Sequence, residues 1–241
     1  MKRFLLTALI FGVVVVTSAG AATTAKPLDM PESILNCPTG KSTPLRPHVT
    51  YQATKFPIAI RLTPPNSTWL GAQWKTGSIG CHATNATTGR PPYFGWVALD
   101  QGPRTAPPQG VIEIMTAYGR TPSVAATINA LRTRGHGATY QSTSAIKLAG
   151  FSGSQFDGQV VGKLHNFFPF TPQTHNAAYH PDAQTFNQGD LFRIIALNVR
   201  GKTVVVEINR AGLPADQFPA FLTRAEQILK SLRFPAATKG A

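Results

Sequence analysis

Acidic residues are scarce in this chain of 241 residues: 10 Asp and Glu stand against 23 Lys and Arg, a formal net charge of +13. The imbalance makes the surface potential positive and favours anionic neighbours, such as wall polymers, phospholipid headgroups or nucleic acid, through an attraction that salt weakens. The basic residues are scattered rather than clustered, Arg61, Arg90, Arg120, Lys163, Arg193 and Arg224 among them, so dedicated nucleic-acid binding is not expected. Cysteine is nearly missing as well, with only Cys37 and Cys81. Two thiols do not build a cysteine metal centre. Neither cysteine follows the first apolar run, where a lipid anchor would need one. Only one long apolar run exists, at the N-terminus, and no second segment could span a bilayer.

Catalytic signatures are also lacking. Thr39, Gly40, Lys41 and Ser42 look like the end of a phosphate-binding loop, but that loop needs glycine where Leu35 stands. Gly150 through Ser154 approaches the hydrolase nucleophile elbow around Ser152, yet the motif requires glycine at 154 and a strand-to-helix turn. Neither site is predicted.

What is present begins with a leader. Lys2 and Arg3 precede an apolar run from Phe4 to Val16, followed by the small residues Ala19, Gly20 and Ala21, a pattern that export signals share. Residues 1–21 are read as a signal peptide, with retention as an anchor left open. Its removal leaves 21 basic against 10 acidic residues, about +11. Residues 22–50 are expected to be a flexible segment, rich in Pro, Thr and Lys. In an exported chain Cys37 and Cys81 are expected to form a disulfide that ties this segment to the first hairpin. Closing about 44 residues would stabilise the fold by roughly 4 kcal/mol.

Residues 51–234 are read as one domain, and 235–241 as a disordered tail. The clearest periodicities lie at its end. Leu191–Val199 and Thr203–Ile208 are apolar, β-branched runs on either side of Arg200, Gly201 and Lys202, a hairpin pattern. After Pro214, apolar residues at Phe218, Phe221, Leu222, Ala225, Ile228, Leu229 and Leu232 follow a helical stripe that must lie on the sheet. Upstream, strands are predicted over Phe56–Leu62, Trp69–Thr76, Tyr93–Leu99 and Val111–Tyr118, with Trp69 as an anchor. A helix is predicted from Val124 to Arg134, capped by the hydroxyl of Thr121 or Ser123. Tyr140–Leu148 reads as a strand interrupted at Ala149 and Gly150, continuing as a glycine-spaced strand to Val161, where the glycines signal a bulge or a close approach. The fold class is α+β, an antiparallel sheet with helices packed on it.

Residues 163–190 are the odd part. Phe167, Phe168, Phe170 and Phe186 lie near the ends of this segment, Tyr179 between them, together with His165, His175 and His180. Connections this long are usually functional or disordered. The histidines with Asp182 could converge on a metal, but their spacing matches no ligand pattern, and no metal or cofactor is expected. Asn66 and Asn85 head glycosylation patterns that chance would also produce.

Three stretches carry a family resemblance: Ile60 to Pro65 with Trp69, Lys147 to Gly150 with Phe156 and Asp157, and Ile228 to Phe234. In this order of elements the chain resembles the PsbP-like family, which includes the photosystem II extrinsic subunit, Mog-type proteins and exported actinobacterial proteins of the LpqN type. The resemblance spans about residues 55 to 234. It implies an antiparallel sheet with helices stacked against it and a role in binding partners or stabilising assemblies, with no catalytic residue to transfer. The long 163–190 segment and the cysteine pair depart from it.

The expected function is therefore an exported, non-enzymatic binding or scaffold domain of the cell envelope. It would be a monomer that meets a protein or small ligand through the 163–190 loop, with Phe167, Phe168, Phe170, His175, Tyr179 and His180 as contacts, or through the sheet face. Two alternatives stay open. One is a secreted hydrolase built from these histidines and a carboxylate such as Asp157 or Asp182; the other is a salt-sensitive binder of anionic polymer or lipid.

Overall fold

The structure is a computed structural model that describes residues 25–32, 43–75, 94–101, 110–134, 137–162, 165–167, 184–210 and 212–236. In chain order the elements are β1 (Leu28–Asp29), β2 (Thr43–Pro44), β3 (Tyr51–Gln52), β4 (Arg61–Leu62), β5 (Trp69–Lys75), β6 (Phe94–Gln101) and β7 (Val111–Ala117). Then come α1 (Val124–Arg134), β8 (Ala138–Tyr140), β9 (Ser144–Leu148), β10 (Phe151–Val160), β11 (His165–Phe167) and β12 (Gln184–Phe186). The hairpin strands β13 (Leu191–Val199) and β14 (Lys202–Asn209) and the helix α2 (Phe218–Leu229) complete the list.

The main sheet runs β2-β5-β6-β7-β14-β13-β10-β8, with β9 joining β10 beside β8. Its centre is the predicted hairpin. Arg200 and Gly201 take positive φ of 53° and 83°, the two left-handed residues that a tight turn matched to strand twist requires. Lys202 already pairs with Val199. Side chains alternate across the sheet, and both faces are apolar. On one face, Ile195, Leu197, Val204, Val206 and Ile208 join Phe221, Ala225 and Ile228 of α2. On the other, Phe156, Phe192, Ile194, Ala196 and Val205 join Ile128 and Leu131 of α1. The predicted α+β class holds, as a sheet with a helix on each face.

A smaller sheet, β1-β3-β4, lies on the α2 side and shares its core through Tyr51, Ile60 and Leu62. Two of the family-like stretches meet there: Arg61 and Arg233 exchange backbone hydrogen bonds of 2.9 and 2.8 Å, and Thr63 N donates to Ser231 Oγ. Trp69 is sealed against Phe221, with ring centroids 6.4 Å apart.

Several expectations change. Phe56–Leu62 is strand only at Arg61–Leu62; the earlier part turns, because Pro57 offers no N–H to a ladder, and Ile58 is only half-buried. The segment expected to be flexible contributes β1 and β2 and buries Met30 and Leu45. Gly71 makes room for them, since a Cβ there would meet Leu45 Cδ1 at 2.7 Å and Met30 Sδ at 2.9 Å. Ala149 and Gly150, with φ of 52° and 86°, do not interrupt one strand but reverse the chain, so that β9 returns antiparallel along β10. Leu222 sits half-buried at the edge of the core rather than within it.

Candidate functional site

The helix α1 lies over β10 and β13, and its entry helps to shape a groove beside it. Ser123 caps it by accepting a hydrogen bond from Ala126 N at 3.2 Å. Thr121, the other candidate cap, accepts instead from Thr203 N at 2.8 Å, and Thr203 Oγ1 donates to the Pro122 carbonyl at 2.6 Å. Lys202 Nζ donates to the carbonyls of Ala117, Tyr118 and Gly119 at 2.8 to 3.2 Å. One lysine and two threonines thus clamp the approach to α1 onto the start of β14.

Beside this clamp lies a hollow of about 600 Å³ bordered by Arg120, Ser123, Ser152, Ser154, Asn198 and Thr203. A second, of about 520 Å³, is bordered by Asn129, Arg132, Tyr140 and Thr143. Both include Ala125 and Ser154, so they meet there to form one groove along α1. The glycine-spaced strand lines it through Ser152, Gly153 and Ser154; along that strand a Cβ at Gly153 would strike the Ala196 carbonyl oxygen at 2.0 Å, and one at Gly158 would strike the Phe192 ring at 2.3 Å. Close approach, not a bulge, is why the glycines are there.

Arg132 closes one end. Its Nη1 donates to Thr143 Oγ1 at 2.7 Å, and its guanidinium lies 5.8 Å from the ring centroids of Tyr140 and Phe156, a cation over aromatic faces. Burial pushes the Tyr140 hydroxyl up to about 12, with Arg132 opposing. Arg120 marks the other end and is exposed. Hydroxyls, amides and two guanidinium groups border the groove beside the apolar Pro122, Val124, Ala125 and Ile128, and none of the bordering residues is Asp, Glu, His or Cys. That is the chemistry of holding an anion or a polar chain.

A second constellation escaped the sequence reading. Glu113 of β7 and Glu207 of β14 are direct cross-strand partners. Glu207 is 1% exposed and accepts from Asn209 Nδ2 at 2.7 Å. Burial raises its carboxyl to about 8, with the Asn209 hydrogen bond opposing. Glu113 is raised well above the carboxylate range, first by burial and then by the charges of Glu207 and Asp100, and its Oε2 has no hydrogen-bond partner among the described residues. Two carboxyl groups this close cannot both ionise cheaply. The signal was one acid inside each of two otherwise apolar runs. Neither borders the groove.

The residues singled out from sequence fare differently. β11 and β12 pair antiparallel, His165 opposite Phe186 and Phe167 opposite Gln184, which draws the ends of the 163–190 segment together. Phe168, Phe170, His175, Tyr179, His180 and Asp182 lie outside the described residues, as do Cys37, Cys81, Asn85 and the leader. Asp157, offered as a hydrolase carboxylate, is gripped by Arg193, Nε at 2.6 Å and Nη2 at 2.9 Å, and Arg193 also reaches Glu226 of α2 at 3.1 Å. That is a strut between sheet and helix. Ser152 lies within β10 opposite Lys147, not on a strand-to-helix turn. Asn66 Oδ1 accepts from Thr68 N and Oγ1 in a local turn.

No family model and no curated protein matches the sequence. Among solved structures the chain is similar to cyanobacterial PsbP (CyanoP) from Synechocystis sp. PCC 6803, with 12% identity, a TM-score of 0.41, and coverage of 79% of this chain and 94% of that one. It is also similar to LpqN, involved in cell envelope biogenesis of Mycobacterium tuberculosis, with 15% identity, a TM-score of 0.34, and coverage of 81% and 91%. Both proteins fall in the group that the sequence stretches resemble, but superposition at these TM-scores carries no argument about site or activity. The α+β class rests on the chain's own sheet and two helices, the arrangement that the PsbP-like resemblance implied.

Proposed function

We propose that this chain is an exported, non-enzymatic binding domain of the cell envelope that recognises an anionic partner in the groove along α1. The observation that carries the reading is the groove itself: about 600 and about 520 Å³ of joined space with Arg120 and Arg132 at its ends and hydroxyl and amide groups between them. The net charge of +13 supports it by drawing anions from a distance. Export is supported by Lys2, Arg3, the apolar run to Val16 and the small residues at Ala19 to Ala21. The 163–190 segment, its ends joined by β11 and β12, is kept as a second contact region.

The test is fluorescence anisotropy with a labelled poly-glutamate chain, at about 50 and about 200 mM salt, on the intact protein and on Arg120→Glu. Binding should weaken steeply with salt and fall at least tenfold in the variant. Affinity that ignores both salt and Arg120 would refute the groove as an anion-recognising site.

A further inference from the structure

One edge of the sheet beside the groove is open. β9 pairs with β10 on one side, and among the described residues no strand pairs with its other side. The two-residue turn at Ala149 and Gly150 makes Leu148 and Phe151 the closing pair, which is hydrogen-bonded in such hairpins. By alternation the N–H and C=O groups of Ala145 and Lys147 point outward from the sheet. Both residues are exposed. A row of outward backbone donors and acceptors is a template for another strand.

The side chains say which strand. Lys147 lies opposite Ser152, on the side of the sheet that α1 covers, and makes this side of the edge cationic. On the other side Ile146 and Leu148 are half-buried and pack with Phe151 at the rim of the α2-side core. A strand laid against β9 would therefore place alternate residues beside Lys147 and the residues between them beside an apolar rim. A second copy of this chain would set its own Lys147 and its own positive charge against the same groups, a like-charge pairing that costs free energy.

We infer that β9 is a docking edge for an extended segment of a partner protein that alternates acidic and apolar residues, added antiparallel to the sheet with its acids toward Lys147. Main-chain hydrogen bonds to Ala145 and Lys147 would supply affinity, and the two-sided pattern would supply specificity. The inference rests on the binding role proposed above and names the partner's chemistry.

The probe is an acetylated peptide of about eight residues with glutamate and valine in alternation, titrated into the full chain and followed by amide chemical shifts and calorimetry. Ala145→Pro removes an outward N–H without touching the β10 ladder, a place where edge strands accept proline. It should weaken the peptide at least tenfold with little change in melting temperature, and Lys147→Glu should do the same while gaining affinity for the lysine-valine counterpart. Shifts should centre on Ser144 to Leu148. The inference falls if Ala145→Pro leaves the peptide bound, if shifts centre elsewhere, or if the chain self-associates through β9 and Ala145→Pro dissolves that species. Salt-sensitive poly-glutamate binding that depends on Arg120 but not on Ala145 would overturn the strand-docking inference and leave the groove reading standing. Loss of both would overturn both.

Discussion

Raising the pH should destabilise this protein, and Glu207 is the reason. The carboxyl has an ordinary value of 4.5, and burial lifts it to about 8 in the fold. Between those values the folded chain keeps a proton that the unfolded chain has released, so the unfolded state binds fewer protons and stability falls as pH rises. The contribution is fully present below the unfolded value and lost by the folded one. Each pH unit crossed costs about 1.4 kcal/mol, so on the order of 5 kcal/mol is lost between about pH 4.5 and pH 8. Glu113 acts in the same direction through its own burial and the charges of Glu207 and Asp100. Urea unfolding at about pH 5, 7 and 9, on the protein and on Glu207→Gln, checks the sign and slope. The glutamine keeps the shape, retains an oxygen for Asn209 and offers an amide toward Glu113. It should flatten the descent and be the more stable protein at the highest pH. A native protein whose stability climbs from about pH 5 to 8, or a variant with an unchanged slope, would refute the buried, protonated Glu207.

Two further outcomes test the packing. Phe221→Ala or Ile228→Ala should cost ~2–5 kcal/mol as cavities in a sealed core, whereas the half-buried Leu222→Ala should cost clearly less; equal melting-temperature losses at all three would contradict the placement of α2. Gly153→Ala must push β10 away from the Ala196 carbonyl oxygen and should cost about 1–3 kcal/mol, and a neutral substitution in denaturant unfolding would show that the strands are not so close.

The parts of this architecture that announce themselves in sequence are those with a long period. α2 and the β13–β14 hairpin repeat an apolar pattern over enough residues to override local noise, and α1 carries its hydroxyl cap and its stripe. Two-residue strands have no period, which is why β1 and β2, with buried Met30 and Leu45, read as loose chain. The reversal at Ala149 was hidden because alanine seldom takes positive φ, although Gly150 beside it was visible. The groove was illegible for a different reason. Arg120, Ser154 and Arg132 are polar residues on a connection, a strand and a helix, and only the packing of α1 across β10 brings them together. Glu113 and Glu207 could have been noticed singly as charges inside apolar runs, but not as neighbours, since register is a property of the folded sheet.

The backbone exchange between Arg61 and Arg233 joins two residues far apart in the sequence. Any chain delivered N-terminus first, whether from a ribosome or through a membrane pore, must wait for Arg233 before that seam can shut. β4 and the small layer around it then stay unfinished until Ser231 and Arg233 arrive, so premature release or trimming before Ser231 would be registered at Arg61 and Thr63, far upstream in the sequence.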